Sequence, residues 1–229
     1  MEDAAPPQAT VAILRGATFA LVALNLMVYV HEARLAPNEQ YVFGQQFALS
    51  LAGVRAGAWW QFLTYQFLHG GFTHLILNVL FLDSIGPVLE TTLGRWRFLV
   101  LYLVSGALGG LVQLLGGALS QKYFGHPVVG ASAGLCGLLA ALGAIYAEDR
   151  IQARILFVIP VTLKAKFLLL AAGLISVGGV IFPLGNVAHL AHLGGLVGGL
   201  WCVNWLKPQQ LLEIGDEPPP PPPLPPKRT

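Results

Sequence analysis

A serine set among small residues, Gly130-Ala131-Ser132-Ala133-Gly134, heads one apolar run of the chain. A histidine in Ala191-His192-Leu193-Gly194-Gly195 heads another. A serine hydroxyl is a poor nucleophile until a base takes its proton, and neutral imidazole is the usual partner. Polar side chains inside runs long enough to enter a bilayer are costly to keep, so their presence points to function. Two more, His74 and Asn78, lie i, i+4 on a third run and so share one helix face. Each offers an N–H, and acyl transfer needs such donors at the developing oxyanion. Amides at the start of a helix beginning at Ser132 could add to them. Gly130 and Gly134 allow close backbone approach around the serine. No carboxylate stands at a matching level on another run, so the pattern predicts a Ser–His dyad without an acid.

The letters G-x-S-x-G do not assign a fold by themselves. With six serines and 27 glycines they would occur by chance about 0.08 times. The soluble nucleophile elbow carries them on a strand-turn-helix, and this chain lacks the alternating strands of that fold. The serine must therefore be read on an apolar helix.

Composition agrees. Of 229 residues, 55% are hydrophobic and only 10% charged, against about 25% charged in soluble domains. The net charge of +2 implies no nucleic-acid partner. Cys136 and Cys202 both lie in apolar runs and read as small packing residues without a disulfide. The 27 glycines suit close helix–helix approach in lipid. The acidic Glu2 and Asp3 and the lack of a basic leader argue for a retained first span.

Six spans can be marked: residues 16–30, 72–89, 98–119, 132–148, 167–181 and 188–205. The short apolar stretch 155–161, interrupted by Pro160, is assigned to a connection. The spans bearing His74, Ser132 and His192 all run in one direction. Their far ends are marked by Glu90, Glu148 and Lys207, which lie sixteen, sixteen and fifteen positions on. At about 1.5 Å per residue these separations are roughly 24, 24 and 22 Å, so all three residues fall at one depth in a hydrocarbon layer of about 30 Å. Arg95, Arg97, Arg150, Arg154, Lys164, Lys166, Lys207, Lys227 and Arg228 gather on one side, and only Arg34, Arg55 and Lys122 on the other. That bias predicts both termini inside. The chain divides into a short N-terminus, 1–10, a membrane domain, 11–207, and a proline-rich tail, 208–229. The tail should be a disordered cytoplasmic segment outside the fold, extended as polyproline II over its prolines, with an SH3-type ligand as the less favoured alternative.

Taken together these residues resemble the rhomboid family of intramembrane serine proteases, over residues 60–199. Leu68-His69-Gly70-Gly71-Phe72-Thr73-His74 with Asn78 resembles its H-x₄-H-x₃-N segment. Gly86 with Glu90, then Gly94, resembles its G-x₃-E ending. Gly130-Ala131-Ser132 resembles its nucleophile motif, and Ala191-His192 with Gly195 and Gly199 its A-H-x₂-G-x₃-G motif. The resemblance implies an all-α, polytopic, rhomboid-like fold of six transmembrane helices. Ser132 is then the nucleophile, His192 the base, and His74 and Asn78 the oxyanion donors, with Gly130, Glu90, Gly195 and Gly199 in support. Substrates would be transmembrane segments of other membrane proteins, cleaved in the lipid bilayer without cofactor or metal; a bacterial plasma membrane is the expected location. Three positions depart from the family pattern. Gln61 follows Trp60 where Arg is common, Ala133 follows the serine where Gly is common, and Cys136 stands where many members stack an aromatic on the imidazole.

Further expectations concern geometry. Gly194 and Gly198, or Gly195 and Gly199, should bring the sixth span against the fourth at Gly134 and Gly137. The connection 31–69 should lie in the interface, held by Trp59 and Trp60. Pro183, Gly185 and Asn186 form a candidate gate, and His189 should hydrogen-bond at the surface. Two other functions fit the same residues. One is a proteolytically silent rhomboid-like protein that binds membrane clients. The other is a metal transporter using His74, His189 and His192, weakened by the lack of an acidic ligand at their level, since Asp83 is over two turns deeper.

Overall fold

A computed structural model describes residues 16–155, 159–182 and 187–206. The first apolar run forms α1, Ala17–Ala33. The connection after it contains three short helices, α2 (Pro37–Phe47), α3 (Leu51–Arg55) and α4 (Gln61–Thr64), then a 3-10 turn, Tyr65–Phe67. Pro37 opens α2 at the one helical turn that needs no amide from it. Two long helices follow, α5 (Phe72–Leu93) and α6 (Arg95–Leu119), joined by Gly94 alone. Gly94 has φ +80°, a conformation open to glycine at little cost. Then come α7 (Gln121–Phe124), α8 (Ser132–Ile145), a hairpin of β1 (Arg150–Ile155) and β2 (Ile159–Lys164), α9 (Ala165–Ile181) and α10 (His189–Leu206).

Helices thus stand at each of the six positions read from the sequence. By length and composition α5 and α6 are apolar enough to cross a membrane, while α1, α8 and α9 are apolar but shorter. The all-α expectation gains one amendment in the antiparallel hairpin, which pairs Arg150 with Lys164 and Arg154 with Pro160. The apolar stretch assigned to a connection supplies Ile155 to β1 and Ile159, Pro160 and Val161 to β2. It is too short for a helical span and carries proline where a helix interior would need an amide. The Glu148 carboxylate accepts hydrogen bonds from Lys164 Nζ (2.6 Å) and from Lys166, tying the hairpin to the end of α8. Those two ammonium groups push its pKa down to about 2.

The second run extends past Glu90 to Leu93. In the sequence a charge at that point marks the span's end, but the carboxylate has a use inside the fold. Its oxygens accept from Ala17 N (2.6 Å), Thr18 N (2.8 Å) and Thr18 Oγ1 (2.8 Å), capping the start of α1. The first amides of a helix have no partner within it and favour negative charge, so a carboxylate from α5 satisfies them. Gly86, one turn earlier, makes room. A Cβ there would lie 2.6 Å from Thr18 Cγ2.

The core lies where α1, α5, α6 and α8 meet, around Leu82, Leu89, Phe98, Tyr102, Leu135 and Leu138. Helix α8 is central. Ten of its 14 residues are buried, as expected of a helix that is apolar on every side. Helix α10 packs mainly on α6 and α8. Large apolar side chains such as Leu119, Ile175, Val197 and Trp205 face outward, the surface a lipid environment accommodates.

Candidate active site

Ser132 is the first residue of α8, and the segment before it is held on both sides. Val128 and Leu49 exchange backbone hydrogen bonds of 3.0 and 2.8 Å, and Gly130 N donates to Tyr65 O at 2.9 Å. The connection between α1 and α5 therefore sets the approach to the serine. Gly130 has φ +124°, which strains any side chain, and a Cβ there would lie 2.7 Å from His74 Cε1 and Nε2. Glycine is required for both reasons.

His192 lies in the first turn of α10, and its Nε2 is 2.8 Å from Ser132 Oγ. Two glycines bring them together. A Cβ on Gly195 would overlap the Ala133 carbonyl, and one on Gly199 would overlap that of Gly137. Gly194 and Gly198 instead face α6, where a Cβ on Gly194 would lie 2.8 Å from Gly109 Cα. Of the two glycine pairs, the later one meets α8. Gly137 meets α10 through its backbone, but a Cβ on it would overlap Ser105 of α6 first, and one on Gly134 would lie 2.8 Å from the Tyr102 ring of α6.

His74 is half-buried in the first turn of α5, and Asn78, one turn on, is 7% exposed. Gly70 N donates to His74 Nδ1 in a long hydrogen bond of 3.4 Å. An accepting Nδ1 leaves the proton of a neutral ring on Nε2, which with Cε1 lies closest to a Cβ built on Gly130, two residues before the serine. Asn78 Nδ2 donates one N–H to His74 O at 2.9 Å and has a second to offer. His69, in the turn before α5, packs its ring edge-on to His74 at 5.1 Å. Burial, and then His74, push its pKa down to about 4, so His69 is neutral at pH 7.

Ser132, His192, His74 and Asn78 all line one cavity of about 1090 Å3. The lining also takes in Lys122 and His126, both exposed, and the apolar Leu77, Phe81 and Leu135. Cys136, one turn after Ser132, lines it too. His189 lies in the cavity wall, half-buried rather than at the surface. Its ring meets that of His192 at 5.9 Å and 85°. Among the described residues no three His, Cys, Asp or Glu side chains cluster as a metal site would need, so His74, His189 and His192 do not converge on one ion. Glu90 stands at the opposite end of α5, in the cap of α1. Pro183, Gly185, Asn186 and the tail lie outside the described residues.

Sequence reasoning passed over one group. Gln113, 5% exposed on α6, accepts from Ala191 N at 3.3 Å and donates to Phe124 O at 3.1 Å, fixing the first turn of α10 beside His192. A lone amide in an otherwise apolar run was the available signal. Gln61, where the family pattern has Arg, accepts from Ser50 N at 3.1 Å and donates to Gln45 O at 3.1 Å. An amide here ties the connection together by hydrogen bonds, where an arginine would use a salt bridge.

Residues 56–208 match the Rhomboid domain. The chain is 30% identical over 154 residues to Rhomboid protease GluP of Bacillus subtilis, covering 65% of this chain and 26% of that protein. It is 33% identical over 171 residues to RHOMBOID-like protein 5 of Arabidopsis thaliana, covering 71% and 49%. With Rhomboid protein 1, mitochondrial, of Saccharomyces cerevisiae the figures are 34% over 134 residues, covering 58% and 38%. The chain thus spans between a quarter and a half of the length of these three relatives.

Proposed function

This chain belongs to the rhomboid family, and from that premise we propose that it is an intramembrane serine endopeptidase acting through Ser132 and His192. The observation that carries the reading is the 2.8 Å contact of Ser132 Oγ with His192 Nε2 in the wall of a cavity that also holds His74 and Asn78. His192 Nε2 takes the hydroxyl proton as Oγ attacks the scissile carbonyl. The carbonyl oxygen becomes an oxyanion, met by His74 Nε2–H, the free N–H of Asn78 and the amide of Ser132 at the start of α8. His192 returns the proton to the leaving amine. Water then attacks the acyl-serine, again giving a proton to His192, and Oγ leaves with that proton as the new carboxyl terminus departs. The steps draw on these side chains, one backbone amide and water.

The substrate we propose is a transmembrane segment of another membrane protein. Helix α8, 14 residues long, is about 21 Å, shorter than the hydrocarbon layer of about 30 Å. With its far end at the inner surface, Ser132 lies below the outer one, at the depth of a substrate's buried backbone. The six long helices are the six spans, with both termini inside, as the Lys/Arg distribution favours. Among the described residues α5 packs on α1, α6 and α8, and α9 on α8 and α10. The cavity wall takes Leu77 and Phe81 from α5 and Gly179 from α9, which suits entry of an apolar segment from that side.

The test is labelling of purified full-length protein by a fluorophosphonate. We expect covalent modification of Ser132, lost in Ser132→Ala and in His192→Ala and unaffected by exhaustive chelation. A wild-type protein that folds but takes no label would favour the client-binding reading. Activity that chelation removes and metal restores would sink the dyad.

A further inference from the structure

We propose that His189 is a positioning residue, holding the His192 ring in register with Ser132 by ring packing. The inference rests on the dyad reading above. A base needs a third group to orient it, and the usual choices are missing around His192. Among the described residues, the hydrogen bond of its ring is the one to Ser132. The side chain one turn after the serine is the small Cys136. What the imidazole does meet is the ring of His189, with centroids 5.9 Å apart and planes at 85°, an edge-to-face arrangement that aromatic pairs prefer.

His189 is itself confined. It also meets Gly179 of α9, where a Cβ would overlap three atoms of the imidazole. Its Nδ1 is buried with no hydrogen-bond partner among the described residues, so at that atom packing rather than a hydrogen bond holds the ring. The order across the site is Gly179, His189, His192, Ser132. Helix α9 thereby touches the base through one side chain, and the absence of a side chain at Gly179 is what leaves room for it.

The experiment measures the rate of fluorophosphonate labelling of Ser132 in full-length protein, with thermal midpoints recorded for each variant. His189→Ala should slow labelling roughly tenfold, the rate equivalent of one aromatic contact. His189→Phe, which keeps a ring, should recover most of the rate, and His189→Asn, which keeps only a polar group, should resemble alanine. Gly179→Ala should slow labelling when His189 is present and have little further effect in His189→Ala, since the side chain it displaces is gone. A wild-type rate in His189→Ala would overturn the proposal, as would rescue by Asn and not by Phe. If Gly179→Ala fails to fold, the His189 series decides alone. If wild-type protein takes no label, the dyad reading has failed, and the positioning claim is judged separately by an experimental structure of His189→Ala. There the separation of Nε2 and Oγ should open beyond about 3.5 Å; an unchanged contact would end it.

Discussion

Ser132, His192, His74 and Asn78 are conspicuous in the bare sequence because each sets a polar atom in an apolar run. What each can do is limited by its atoms. Asn78 and His74 both offer an N–H to the cavity, and in the proposed reaction each steadies the oxyanion. Asn78→Ala and His74→Ala should each lower kcat by roughly 10- to 1,000-fold with KM little changed, measured on a model transmembrane substrate. Wild-type turnover in both would make them packing residues. His69 offers a test by pH. Its folded pKa, near 4, lies below that of a free imidazole at about 6.5. Below pH 6.5 the unfolded chain takes up a proton that the folded one refuses, so stability is full above that pH and falls until about pH 4. The loss from this group is at most about 3 kcal/mol. The thermal midpoint of His69→Gln should fall less steeply than wild type across that window, and parallel profiles would show that His69 titrates normally.

At the scale of elements, several short devices set the site. The Leu49–Val128 bridge fixes the segment entering Ser132, and Gln113 fixes the start of α10. Gly195 and Gly199 let α10 touch the α8 backbone, a contact that lipid-buried helices make through small residues. Glu90 belongs to this scale too, since it joins α5 to α1 far from the serine. Glu90→Ala leaves two amides and a hydroxyl without their charged acceptor, at a cost of about 2–3 kcal/mol. Unfolding in detergent should show that loss, while labelling of Ser132 well below the new midpoint stays near wild type. Unchanged stability would mean that water replaces the carboxylate without loss.

For the whole molecule, the proposed domain boundary has its own consequence. Residues 217–229 are almost entirely proline and charge, a composition that cannot bury apolar surface. Truncation after Asp216 should leave the thermal midpoint and cleavage of a detergent-solubilised substrate unchanged, with any effect confined to partner binding in cells. A truncated protein that unfolds or loses activity in vitro would show that the tail docks on the membrane domain.

Membrane class, the places of the long helices and the short list of polar residues within them were legible in the chain alone. Lipid admits few charges and long apolar runs, so both the runs and their exceptions are visible letter by letter. Which helix faces meet was decided only by tertiary structure. Gly194 and Gly195 are neighbours about 100° apart on one helix, and periodicity gives no reason to send one to α6 and the other to α8. The same holds for Glu90, legible as the end of a run yet placed as the cap of α1, and for His189, legible as a surface group yet placed against His192. The hairpin after α8 was hidden because a six-residue strand with a proline carries too weak a pattern to separate from a loop. Helix rotation and partner choice depend on contacts far apart in sequence, and those contacts bring Ser132 and His192 to 2.8 Å.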